Sequence, residues 1–376
     1  MENFKREELK TIFKDILSIY SPTRNEKNVA NYIVNFLEKL GAEIYLDNSY
    51  EIYGGNSPTV FAKIKGNVEG EGVTFSAHMD VVEPNENLKI VEEGNIIKTD
   101  GTTTLGGDDK AGIAAILYSI KYIVENKKNH QDIFAVFTPG EEKGMLGARN
   151  INWQEVYKNM TPAKNTIVVD NAGKAEYVAY KAPTCTNFRI NITGKKAHAG
   201  LAPEEGINAI KVLSEIIAKM NIGRIDELTT SNISQISSDF PTNVVPDKAT
   251  AYGEVRAHSD ENVENMLNEY KKIAEEVSKE YKATFEMECE KQYPRLDTMD
   301  DFKFAKEFVE IYKKVGVDAK LQVIGGGSDA NFFAEEGFNS IIIGVGMQKV
   351  HTTEEYLEVE EMIKTTKAII EYLDLN

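Results

Sequence analysis

Four short apolar runs, each closing on a cluster of acidic or imidazole side chains, constrain this chain more than any other feature. VTFSA (73–77) leads directly into His78-Met79-Asp80, and IFAVFT (133–138) into Pro139-Gly140-Glu141-Glu142. TIVV (166–169) leads into Asp170-Asn171, and SIIIGV (340–345) is followed shortly by His351. Continuous apolar runs of this length read as strands buried on both faces. Between the first two lies AGIAAILYSIKYIV (111–124), a strongly apolar helix that begins just after Asp108 and Asp109. Strand, helix, strand in that order predicts an α/β domain with a mostly parallel sheet. Open sheets of this kind place ligand sites at the carboxyl ends of their strands. Carboxylates and imidazoles brought together there would repel strongly unless cations were bound.

Each cluster alone has an ordinary structural reading. A His-x-Asp can be a hydrogen-bonded pair, a Glu-Glu pair is commonly solvated surface, and an Asp after a strand is often a turn or cap residue. Their joint placement at strand ends is what points to a metal centre.

At 376 residues the chain is long for one hydrophobic core, so two domains are expected. Amphipathic helices are predicted over 4–19 and 25–40. The middle changes character: 184–194, 247–258 and 282–290 alternate like half-exposed strands, with helical patterns over 204–220 and 260–280. That pattern predicts an α+β (βαββαβ-like) module over 183–292, inserted into an α/β domain made of 1–182 and 293–376. Further helices are predicted over 300–315 and 359–374.

The net charge of -17 argues against a nucleic-acid partner, which requires a basic face. No apolar stretch approaches the length of a membrane span. The first twenty residues carry charges throughout and lack the apolar core of a signal peptide. Two cysteines, Cys185 and Cys289, do not make a disulfide scaffold. A cytoplasmic location is the simplest expectation. No Gly-x-Ser-x-Gly elbow appears, which disfavours a nucleophilic serine hydrolase.

HMDVV, LGGDDKAGIAA, FTPGEEKGMLGA, VVDNAG, GKKAHAGLAPEEGINAI and VGMQKVHTTEEY together resemble the M20 metallopeptidases, most nearly the peptidase T (tripeptide aminopeptidase) branch. The resemblance covers nearly the whole chain, with six motifs in the family's order. It implies two zinc ions per chain, with Co2+ or Mn2+ as substitutes. His78 would bind one ion, oriented by Asp80, and Asp108 would bridge both, followed by a cis peptide bond. Glu141 would be the general base and Glu142 a metal ligand. Asp170 would complete one ion's ligands and His351 the other's.

In the inserted module the resemblance gives His198 an oxyanion-steadying role, often from a neighbouring subunit. It gives Asn243 and Arg256 roles in holding the substrate; Arg256 also reads as a strand arginine paired with Glu254 or Asp260. Gly326, in a triple-glycine loop, would let substrate backbone approach closely. The implied function is cleavage of short peptides, with release of the N-terminal residue of di- or tripeptides by a homodimer paired through the inserted module. A carboxypeptidase or N-acyl amino acid deacylase on the same scaffold remains open, as does a non-catalytic peptide-binding relative. The family often has Asp-Gly-Gly where this chain has Asp170-Asn171-Ala172, a departure that bears on specificity.

Overall fold

The computed structural model describes residues 3–297 and 301–375, and the chain divides into two compact units. The first comprises 1–181, 296–324 and 328–376, and the second comprises 182–295 with 325–327.

The first unit is built on a nine-stranded sheet. Ile133–Thr138, Val73–His78, Asn165–Asn171 and Asn339–Gly344 lie side by side and parallel at its centre. These are the four apolar runs, and Val73–His78, Ile133–Thr138 and Asn339–Gly344 are buried at every position. Outside them the sheet is mixed. Thr59–Ile64 and Glu43–Asp47 add antiparallel strands on one side, and Tyr177–Ala182 adds one on the other. The parallel expectation thus describes the four central strands, while the strands next to them pair antiparallel and Lys320–Val323 joins Tyr177–Ala182 in parallel at the edge. Ile90–Glu93 and Ile96–Thr99 form a hairpin that continues into a small four-stranded sheet with Met347–Gln348 and Tyr356–Glu358.

Helix Gly107–Glu125 is buried along nearly all its length, against Val73–His78 and helices Arg6–Leu17 and Val359–Leu373. A helix enclosed on nearly all sides needs no polar stripe, which explains the mostly apolar sequence from Ala111, interrupted by Ser119 and by Lys121, which pairs with Glu8. Gly112 is forced by this packing: a Cβ there would lie 2.3 Å from Asp109 Oδ1 and from the Val169 carbonyl. Helix Lys303–Lys314 falls within the predicted 300–315; position 300 lies outside the described residues.

The second unit is a five-stranded antiparallel sheet in the order Gly223–Arg224, Thr229–Ser237, Lys248–Ala257, Thr184–Thr193, Thr284–Tyr293. Helices Ala209–Lys219 and Asp260–Tyr281 cover one face. Phe188, Ile190, Ile192, Ala251 and Val255 from the strands meet Val212, Leu213, Ile216, Tyr270 and Val277 from the helices. The chain order is β, α, β, β, α, β, with Gly223–Arg224 as an extra edge strand.

Candidate metal centre

His78 ends the central strand Val73–His78, and its ring is almost fully enclosed. Its backbone N–H donates to Asp109 Oδ2 at 3.2 Å. Nδ1 lies 3.1 Å from the Asp80 carbonyl and 3.4 Å from the Asp80 carboxylate. A proton on Nδ1 leaves the Nε2 lone pair free to bind a metal, with Asp108 Oδ1 at 3.1 Å and Asp170 Oδ1 at 3.7 Å from it.

Asp108 opens the helix from a non-helical backbone, and the Asp108–Asp109 peptide is cis. Its two oxygens face different partners. Oδ1 faces His78, and Oδ2 lies 3.3 Å from His351 Nε2. His351 Nε2 also lies 3.1 Å from Glu142 Oε2. Among the described residues, two sets of side chains approach closely enough to hold an ion: His78, Asp108 and Glu142, and His78, Asp109 and Asp170. Asp109 already accepts from His78 N and from Gly112 N. Its carboxylate therefore ties strand to helix.

Asp80 does more than orient an imidazole. Fully buried, it accepts the backbone N–H groups of Glu141 and Glu142 at 2.9 and 3.2 Å and the Thr23 hydroxyl at 2.7 Å. One carboxylate thus fixes both the histidine and the two-glutamate loop. Glu141 and Glu142 lie on a single 3-10 turn entered through Gly140 at φ 72.

The electrostatics are those of a cation site. Burial pushes the carboxyls of Glu141, Asp170 and Asp109 well above their ordinary values, and neighbouring carboxylates add to the rise. Burial raises Glu142 as well, and its Oε1 is buried without a hydrogen-bond partner. Hydrogen bonds that His351 donates to Asp108 and Glu142 push it up to about 10. Burial alone would lower His78, but Asp108, Asp170 and Asp80 outweigh it and hold the ring well above its ordinary value. Buried like charges of this density are favourable only with protons or cations between them. Mixed carboxylate and imidazole donors, with one buried oxygen still unmet, fit divalent metal ions.

Three further buried residues, to which the sequence alone assigned no role, support the site. Glu355 is buried and accepts N–H groups from Leu105, Gly106 and Asp108 at 2.8, 2.9 and 3.1 Å. Asp329 is buried behind the site and takes the Thr138 hydroxyl; burial pushes its carboxyl up to about 6. Lys110 is fully buried and donates to the Ile19 carbonyl at 2.6 Å.

The other sequence candidates belong to the second unit. His198 is exposed and pairs with Val244 in a short two-stranded ribbon. Its Nδ1 accepts from Gly200 N and Leu201 N, both at 3.2 Å, which places the ring proton on Nε2. Asn243 is held next to it, its carbonyl accepting from Ala199 N at 2.9 Å. Arg256 is paired with Glu254, Nε to Oε1 at 2.8 Å and Nη2 to Oε2 at 3.1 Å. Gly326 is exposed, and a Cβ there would meet nothing within 4 Å.

A crystal structure of aminopeptidase PepT from Bacillus cereus ATCC 10987 superposes with a TM-score of 0.92 at 31% identity, covering 98% of both chains. The chain is an M20 peptidase of the peptidase T-like branch. The M20 peptidase dimerisation domain matches residues 184–282. A tripeptidase from Staphylococcus aureus Mu50 gives a TM-score of 0.94 at 29% identity, over 99% of this M20 peptidase and 98% of that chain. The Bacillus subtilis protein YqjE is 34% identical over 96% of both chains. No helix among the described residues of the M20 peptidase is long and apolar enough to cross a membrane.

Proposed function

We propose that this M20 peptidase is a dinuclear zinc enzyme that removes the N-terminal residue from di- and tripeptides. The observation that carries the reading is the two-sided Asp108 carboxylate, 3.1 Å from His78 Nε2 through one oxygen and 3.3 Å from His351 Nε2 through the other. His78 and Asp170 would hold one ion, Glu142 and His351 the other, and Asp108 both. Zinc in such a pair acidifies a bound water and polarises the scissile carbonyl, and Co2+ or Mn2+ suits the same donors.

The chain's own residues then have distinct tasks. Glu141 receives the proton of the attacking water and passes it to the leaving amine. Asp80 positions Glu141 and Glu142 through their backbone N–H groups. His198, from its own chain or from the partner's copy, donates Nε2–H to the developing oxyanion, a reading supported by its exposed ring and the two N–H groups that occupy Nδ1. Asn243, Arg256 and Gly326 contact the substrate. Glu254 holds Arg256 in one orientation.

The aminopeptidase and tripeptidase names of the two solved relatives support a short-peptide substrate with a free amine. The dimerisation-domain match supports a homodimer formed through the second unit. Two free thiols, Cys185 and Cys289, suit the reducing cytoplasm. The test compares tripeptides with their N-acetylated counterparts in the presence of zinc, cobalt or manganese. Release of the N-terminal residue from free peptides alone is expected. Faster cleavage of the acetylated peptides would assign the centre to deacylation.

A further inference from the structure

A cavity of about 360 Å3 opens beside the proposed ligand Glu142, walled by Arg24, Val81, Val82, Glu83 and Lys143. Its size is at the small end of ligand pockets, roughly 300–1,000 Å3, enough for one side chain or one chain end of a peptide. Of its two carboxylates, Glu83 accepts the Tyr20 hydroxyl at 2.6 Å and Glu142 faces His351. Among the described residues, neither Arg24 nor Lys143 has an ion-pair partner. Both are exposed, and together they outnumber Glu83, the one carboxylate of the wall that likewise has no ion-pair partner among the described residues, so the wall keeps an excess of positive charge that leaves a place for an anion.

Arg24 is also placed there against its backbone preference. The Asn25 N–H donates to the Pro22 carbonyl at 2.8 Å, closing a turn with Arg24 at φ 75. Glycine or asparagine is the usual residue at such a position. The turn is anchored to the metal centre by its neighbour, since the Thr23 hydroxyl donates to Asp80. The Arg24 N–H donates to buried Glu26 at 2.8 Å.

We propose that this cavity is a carboxylate-reading subsite, in which Arg24 and Lys143 together hold an anionic group of the peptide. That group is an aspartate or glutamate side chain or the C-terminal carboxylate. Its choice of occupant rests on the peptide-hydrolase reading above. Arginine supplies a planar fork that matches a carboxylate in two bonds, lysine adds a compact charge, and Val81 and Val82 give the methylenes an apolar surface.

Binding and turnover separate this inference from that reading. The zinc-loaded Glu141→Gln protein is titrated calorimetrically with tripeptides carrying Glu or Gln at each position, and with C-terminal amides of the same peptides. The carboxylate forms should bind more tightly, and the arm that shows the preference identifies side chain or chain end. Adding Arg24→Gln or Lys143→Gln should each cut the preference about tenfold, as expected for loss of a charged hydrogen bond, and the double variant should abolish it. A preference unchanged in the double variant, or no binding of any peptide, overturns the subsite. A binding preference lost in the double variant, with no peptide turned over by the wild-type enzyme, sinks the hydrolase reading and leaves the subsite standing.

Discussion

Replacing Glu355 with glutamine should weaken zinc binding without altering any proposed ligand. The carboxylate is 2% exposed and accepts three backbone N–H groups, Leu105 and Gly106 on Oε2 and Asp108 on Oε1. These bonds hold the turn that delivers Asp108 between the two histidines. Glutamine keeps the volume and one acceptor, but it sets an NH2 group against at least one of those donors. An unmet buried donor costs about 1–3 kcal/mol. The turn can relieve that cost by leaving its metal-binding shape, so the penalty falls on affinity. At about 1.4 kcal/mol per tenfold, zinc affinity drops by roughly 5- to 150-fold, consistent with the ~10–100-fold typical of groups that orient metal ligands. Burial pushes the Glu355 carboxyl up to about 7, so the competition titration against a chromophoric chelator belongs at a pH above that value. Wild-type affinity in Glu355→Gln would refute the assignment of Glu355 to the metal centre.

Glu141→Gln should lower kcat by roughly 10²–10⁴ while retaining metal, whereas Glu142→Gln should lose metal; the opposite pattern reverses the two roles. His198→Ala should lose about 10²–10³ in kcat, and mixing it with Glu141→Gln under subunit exchange should restore activity if the oxyanion donor comes from the partner. Stability of the metal-free protein should fall as pH rises from about 4.5 to 7. In that window Glu26 and Glu355, both pushed up to about 7, and Asp329, pushed up to about 6, keep protons that the unfolded chain has released. Thermal unfolding with and without zinc checks the sign, since metal binding should oppose the loss; a flat or rising profile without metal contradicts it.

The centre of the fold was legible because its strands are buried on both faces, so their sequences are mostly apolar, broken only by small hydroxyl residues such as Thr74 and Ser76, and end where the charged residues begin. The flanks were not. Glu43–Asp47 reads EIYLD and Ile90–Glu93 reads IVEE, too short and too charged to separate from loop without the strands they pair with. In the same way, His78, Asp108, Glu142, Asp170 and His351 stood out by position, and the structure brings them into contact. The groups that hold them in place did not stand out. Glu26, Asp329 and Glu355 sit in polar stretches that look solvated, and they are buried only because distant segments fold over them. That Asp80 binds the Glu141-Glu142 loop spans 61 and 62 residues of sequence, a relation no local pattern reveals. Arg256 illustrates the converse: both of its readings were open in the sequence, and the structure shows the pair with Glu254.

The most direct test of the central claim is the metal content of the reconstituted protein, measured alongside Asp108→Ala. Two divalent ions per chain are expected in the wild type, and the variant should lose occupancy at both positions, because one carboxylate serves both histidines. A fully loaded wild type holding one ion, or an Asp108→Ala protein that gives up only one of two, would contradict the shared-carboxylate centre.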